Sequence, residues 1–270
     1  MLKFLKIISG GVFILTIFYS LGFCDAQAYF DSGVNYFQQR KSSDALNDFQ
    51  YVVDNYPDDP LAPESLFRIG ACYAMMNNLT ASEESLEDVI SKYPTTEQAE
   101  HAYFLIGCNY LVIRDTESAI NWLEQRVEKY PEKKLETGQA YFQLGLAYYR
   151  KGDYNNALAA YHKIVNDYPS WGVVSLHMID EEIGRCYQAK GKYNEAINSY
   201  YIAVTSGTQG AVYKDVTTFN IGECYEGEGD YTQAKIWYQK VLNNYRDSKY
   251  LPDARDKLEE LETKSGTRAK

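Results

Sequence analysis

Little in this chain is suited to chemistry. Its 270 residues hold three histidines, and His101, His162 and His177 stand without HExxH, CxxC or paired-histidine spacing, so no metal site is expected. No phosphate loop, GxGxxG or GxSxG occurs either, which removes the nucleotide-binding and nucleophile-elbow enzymes and leaves no cofactor to expect. Carboxylates are plentiful, yet none is paired in a way that separates it from ordinary surface charge. Basic charge is short, with 27 Lys and Arg against 37 Asp and Glu and a formal charge of −10. That balance excludes a nucleic-acid partner held through many phosphate contacts and suits a basic or neutral protein surface. Long apolar runs are confined to one stretch, Ile7 to Phe23.

What the chain does have is a repeat. Residues Ala140 to Pro169 read AYFQLGLAYYRKGDYNNALAAYHKIVNDYP. Tyr141, Leu144, Gly145 and Tyr148 recur at i, i+3, i+4 and i+7, one face of a helix. Gly152 and Asp153 then supply a left-handed stop and an N-cap. Ala157, Tyr161 and Ile164 restore the helical period until Pro169 ends it. The unit is a helix hairpin in which Gly145 and Ala157 allow close approach. The same register returns six times, at Gly33, Gly70, Gly107, Gly145, Gly184 and Gly222. A Tyr stands three residues after each Gly, a small residue twelve after it, and a large one four further on: Phe49, Leu86, Leu123, Tyr161, Tyr200 and Tyr238. Successive glycines lie 37 to 39 residues apart.

This pattern resembles the tetratricopeptide repeat, a helix-turn-helix of about 34 residues; the longer period places extra residues in loops or at helix ends. Cys72, Cys186 and Cys224 fall two residues after the repeat Gly and Cys108 one after it, positions that ask for a small side chain. Helix axes pack about 8–10 Å apart, too far for equivalent cysteines to bridge, so these read as buried free thiols. Ser42 or Ser43 is available to cap the second helix of the first pair. The fold class is all-α, an α-solenoid of about six helix pairs over 27–261, with pairs at about 27–57, 63–94, 100–131, 138–169, 177–208 and 215–246. A capping helix over 250–263, with Leu258 and Leu261 facing inward, precedes a disordered tail over 264–270.

Residues 1–26 differ from the rest. Lys3 and Lys6 precede the apolar run, and Cys24-Asp25-Ala26-Gln27-Ala28 follows it, the pattern of a secretory signal cut after Ala26 or Ala28. Two rival fates stay open. Leu21-Gly22-Phe23-Cys24 is similar to a lipobox, with Cys24 as the lipidation site, although Phe23 is larger than that site takes. The run also nears the length of an uncleaved membrane anchor. The protein is expected to be exported, to the periplasm or the periplasmic face of the outer membrane.

With no catalytic constellation, function falls to a surface. The resemblance implies that first helices line a concave groove and that the residue three before each Gly points into it: Phe30, Phe67, Phe104, Phe142, Glu181 and Phe219. Two readings stay open for the five Phe, inter-repeat core or a groove for an extended peptide or helix. Beside them, one and four residues after the Gly, stand Leu146 with Tyr149, Arg185 with Gln188, and Glu223 with Glu226, so charge replaces apolar surface toward the C-terminus. The Lys and Asn pattern of carboxylate-clamping chaperone cofactors is missing. Tyr-Phe-x-Leu/Ile-Gly phrasing, closing Tyr-Pro pairs and the leader are instead similar to the envelope branch, to BamD-type outer-membrane assembly lipoproteins and the repeat domain of the Tol-Pal-associated YbgF. That resemblance implies a non-enzymatic scaffold for another envelope protein. The alternative is an accessory or glycan-binding subunit of an envelope enzyme complex, since aromatics also stack on sugars.

Overall fold

The computed structural model describes residues 25–131, 135–168, 173–205 and 214–267. The leader, the Pro169–Gly172 punctuation, the Ser206–Gly210 segment that replaces a closing Tyr-Pro, and the last three residues of the expected tail lie outside them. Among the described residues there are thirteen helices and no strand. The first, α1, spans 25–38. There follow α2 Ser42–Asn55, α3 Ala62–Met75, α4 Leu79–Lys92, α5 Glu97–Val112, α6 Thr116–Lys129, α7 Leu135–Lys151, α8 Tyr154–Asp167, α9 Val173–Ala189, α10 Tyr193–Thr205, α11 Lys214–Glu228, α12 Tyr231–Asn244 and α13 Leu251–Thr267.

Each pair closes on one contact. A Cβ built on Gly33 would stand 2.8 Å from the Phe49 ring, on Gly70 or Gly107 2.7 Å from Leu86 or Leu123, and on Gly184 or Gly222 2.6 Å from Tyr200 or Tyr238. Gly145 meets Tyr161 in the same way. Real Cβ atoms do not come this near, so only glycine lets the large side chain of the second helix lie flat on the first. The turn between paired helices needs a left-handed residue. Gly152, Gly191 and Gly229 supply it at φ +83°, +68° and +81°, whereas the first three pairs use Arg40, Asn77 and Arg114.

The second helices are then capped by the next residue. Asn78, Asp153 and Asp230 accept from the backbone N–H three residues on, and Asp115 does the same for Ser118. Neither Ser42 nor Ser43 caps α2, contrary to the sequence expectation. The N-cap is Lys41, without a side-chain bond, because the register puts Lys, as it does at Lys192, where the other four pairs put Asp or Asn, and Ser42 instead points its hydroxyl at the Met75 sulfur, 4.0 Å away. In the middle pairs the extra residues of the long period sit on first helices, since α5, α7 and α9 run 16, 17 and 17 residues against 14 for α4, α6 and α8, whereas α3 keeps 14 and follows a longer connection.

The chain divides into two compact units, Met1–Arg126 and Val127–Lys270. In the first, the core joins Ala45, Phe49, Leu66, Ile69, Leu86, Val89, Ala102 and Ile106. Tyr29 stacks on Tyr51 with ring centroids 3.9 Å apart, which anchors the start of α1. Arg126, 1% exposed, is neutralised by an ion pair with buried Glu100. In the second unit, Tyr161, Ile164, Ile179 and Cys186 form one cluster, Tyr200, Ile221, Cys224 and Trp237 another, and Phe219, Tyr238, Ala254 and Leu261 a third. The last cluster shows α13 closing the stack, with Leu261 buried and Leu258 packed against the same cluster. Helix α13 continues through Thr267, past the expected end at 263; Lys264-Ser265-Gly266 contains no proline, and one glycine near a helix end costs only about 1 kcal/mol.

In an ordinary helix, Gly→Ala is worth up to about 1 kcal/mol of added stability. At Gly222 the sign should reverse. Gly222→Ala is expected to lose about 1–3 kcal/mol through overpacking against Tyr238, read as a lower midpoint in urea; a variant as stable as the parent would refute the glycine contact as the constraint.

Candidate functional site

The choice of large residue under the repeat glycine separates the two units. Phe49, Leu86 and Leu123 bring no polar atom to the first-helix face, but Tyr161, Tyr200 and Tyr238, each fully buried, carry a hydroxyl through the hairpin. It emerges beside the first-helix residue four past the glycine. Tyr200 Oη donates to Gln188 Oε1 at 2.7 Å and Tyr238 Oη to Glu226 Oε2 at 3.0 Å. Tyr161 Oη has no hydrogen-bond partner; the equivalent residue there is Tyr149, and Glu182, Cys186 and Arg185 are its electrostatic neighbours. Burial pushes all three phenols above the ordinary tyrosine range, so they act as donors at any physiological pH.

Around these hydroxyls runs a row of polar contacts from one first helix to the next. The Arg185 guanidinium lies 4.7 Å from the centroid of the Tyr149 ring and is held by both oxygens of Glu182, at 2.9 and 3.0 Å. Gln188 donates to Glu223 at 3.1 Å, and Lys257 of α13 reaches Glu226 at 3.1 Å. Four expected site residues, Tyr149, Arg185, Glu223 and Glu226, are thus brought into one row. Glu181 lies beside it, where Glu181 and Arg185 of α9 and Asp215 and Asn220 of α11 line a cavity of about 700 Å³. Asp247, Lys249 and Tyr250 from the turn into α13 close its other side. Burial pushes the Glu181 carboxyl up to about 7, and neighbouring Glu182 and Asp215 add to this, while Arg185 and a hydrogen bond with Thr217 oppose it.

The five Phe do not share one environment. Phe30, Phe67, Phe104 and Phe142 are half-buried. The Arg68 guanidinium stands over Phe30 at 5.9 Å, Phe67 approaches His101 at 5.9 Å, and Phe142 tilts on Tyr161 at 6.1 Å. Phe219 is not open groove surface: it is 6% exposed, packed on Tyr238 and stacked on Tyr250 at 5.3 Å. At the last position of the stripe the cover is the turn into α13, whose Tyr250 lies on Phe219.

Sequence reasoning missed Tyr161, Tyr200 and Tyr238 as suppliers of polar atoms. Their signal was present, Tyr in three pairs where the other three have Phe or Leu. It also missed the turn into α13 and the exposed apolar tips Met75, Met76, Val112 and Ile113 of α3 and α5. The four cysteines outside the leader are free, and burial raises the thiols to about 11 at Cys72 and about 12 at Cys108, Cys186 and Cys224, which makes them inert. Among the described residues no group of His, Cys, Asp and Glu could hold a metal ion, and no helix is long and apolar enough to cross a membrane.

Removing a buried hydroxyl costs stability only where it is bonded. Tyr200→Phe and Tyr238→Phe should each lose about 1 kcal/mol, whereas Tyr161→Phe should lose nothing or gain; equal losses at all three sites in chemical denaturation would refute the unpartnered assignment. Glu181 gives a pH signature. Its folded-state pKa lies above the unfolded value, so the folded state binds the proton more tightly and stability falls as pH rises from about 4.5 to about 7. Glu181→Gln should match the parent at pH 4 and melt higher at pH 8; the same difference in melting temperature at both pH values would contradict the burial of this carboxyl.

A family model described as tetratricopeptide repeat matches residues 27–59, 64–96, 139–170 and 218–248. The third and fifth pairs fall outside those matches, but Gly107 on Leu123 and Gly184 on Tyr200 make the same contact. No curated protein matches the chain. Among solved structures, the C-terminal part of a TPR repeat-containing protein from Cytophaga hutchinsonii is 17% identical, with 86% of this chain and 84% of that one covered and a TM-score of 0.66. PilF of Pseudomonas aeruginosa is 12% identical over 89% of this chain and 97% of its own, at TM-score 0.61. MamA of Desulfovibrio magneticus RS-1 is 20% identical over 66% and 93%, at 0.54. At these identities the likeness is one of fold; the four matched segments are tetratricopeptide repeats, and the glycine contact shows the same hairpin in the third and fifth pairs.

Proposed function

We propose that this protein is an exported, non-enzymatic scaffold of the bacterial envelope that binds a peptide or helix of another envelope protein on its first-helix faces. Tetratricopeptide repeats serve protein–protein interaction, which fixes the class of activity; the envelope setting is supported by the Lys3/Lys6 and Ile7–Phe23 leader and by the Tyr-Pro phrasing similar to BamD-type and YbgF-type proteins. Cys24 supplies a lipid attachment point if the leader is cut before it. The observation that carries the reading is Phe104. It is half-buried on α5, and among the described residues no ring or cation partners it, so its remaining surface is available to another molecule. Half-buried aromatics of this kind are the usual anchors of a partner segment, with polar groups at the rim setting register.

The Phe residues sort the outcome. Phe219→Ala should lose about 3–5 kcal/mol of stability, since its ring is core. Phe104→Ala should melt nearly as the parent does while its capture of a protein from envelope extract falls by about tenfold or more. Mass spectrometry of the captured form reads its N-terminus in the same experiment, at Gln27 or Tyr29 for a cleaved leader. Undiminished capture by Phe104→Ala, or retention by isolated peptidoglycan in place of protein, would reject the peptide-binding reading.

A further inference from the structure

The cavity in the second unit has a chemistry of its own. Glu181, Asp215 and Asp247 line it, and among the described residues none of them is held by an ion pair. Asp215 accepts from the Ser248 hydroxyl at 2.6 Å, which fixes both the carboxylate and the turn that carries Asp247. Of the two cations in the lining, Arg185 is spent on Glu182. The other, Lys249, is exposed and stands over the Tyr250 ring at 5.1 Å. Tyr250 is itself fixed by its stack on Phe219. The site therefore joins unpaired carboxylates to an immobilised aromatic ring on which a cation already rests, and that cation is the end of a flexible side chain that another can displace.

We propose that this cavity receives a basic side chain, an arginine in preference to a lysine, from an extended segment of the partner. The proposal rests on the reading of the first-helix face as a binding surface and names what its C-terminal end selects. A planar guanidinium can pair with a carboxylate through two parallel hydrogen bonds while lying against an aromatic face, and a lysine ammonium can do only one of these well. At about 700 Å³ the cavity exceeds what one side chain fills, so the flanking backbone enters with it, and the amide of Asn220, which lines the cavity and has no hydrogen-bond partner among the described residues, serves that backbone as donor and acceptor. The acidic balance of the chain draws a basic segment toward the face before contact is made.

The test uses the full chain and three dye-labelled peptides of glycine and alanine that differ at one central residue, arginine, lysine or norleucine. Fluorescence anisotropy should rank them arginine, then lysine, with norleucine weaker than arginine by about tenfold or more. Asp247→Asn and Glu181→Gln, checked for an intact helical melt, should each weaken the arginine peptide by roughly tenfold and leave norleucine unchanged. Asp58→Asn, on the exposed surface of the other unit, should change nothing. Equal affinity for arginine and norleucine, no binding of any peptide, or an Asp58→Asn loss as large as that of Asp247→Asn overturns the cavity as a recognition site. None of those results touches the scaffold reading, which fails separately if Phe104→Ala keeps its partner.

Discussion

A glycine pressed flat by the large side chain of the facing helix is the constraint on which the rest of this structure depends. Because no Cβ fits between Gly184 and Tyr200 or between Gly222 and Tyr238, each helix pair closes to one separation and one rotation. The partner residue lies sixteen positions on, so the turn between must reverse the chain in a fixed length. That requirement explains why a left-handed residue is present in all six turns, even where it is Arg40 or Arg114 rather than glycine. Non-glycine residues at positive φ carry a strain of about 1 kcal/mol or more, and closing the hairpin offsets it.

The same contact reaches the surface. When the pressing residue is Leu or Phe, the hairpin ends in hydrocarbon and the first-helix face is left to aromatics such as Phe67 and Phe104. When it is Tyr, a hydroxyl crosses the pair and meets whatever stands four residues past the glycine. Gln188 and Glu226 answer that hydroxyl and also bond outward, to Glu223 and Lys257. A core substitution thereby turns an apolar first-helix face into a polar one without altering the fold, which is how one repeat architecture presents two kinds of surface in its two units.

The fold was legible in sequence because its determinants are local and repeated: the glycine register, the small residue twelve on, the Asp or Asn cap and the closing Tyr. Errors arose where one copy departs from the rest. Ser42 resembles a cap only until the register shows Lys41 at the capping position. Phe219 occupies the same repeat position as Phe104 but differs in its neighbour, since α13 and Tyr250 lie over it. Neighbours contributed by a different element are not written in the residue itself. The cavity was illegible for that reason, as Asp247, Lys249 and Tyr250 belong to a connection that reads as a linker until it is seen against Glu181 and Asp215.

A stack of repeats must end, and the way this one ends joins stability to the shape of its surface. The last pair would expose Phe219, Tyr238 and Val241, and α13 covers them with Ala254 and Leu261 while turning Glu and Asp side chains outward. To dock there, the chain must first cross from α12, and the crossing is braced by Ser248 on Asp215 and by Tyr250 on Phe219. Asp215 and Tyr250, one residue from each brace, also line the cavity. The turn into the helix that keeps the stack from fraying therefore also lines an acidic recess, and its residues cannot vary for one role without altering the other.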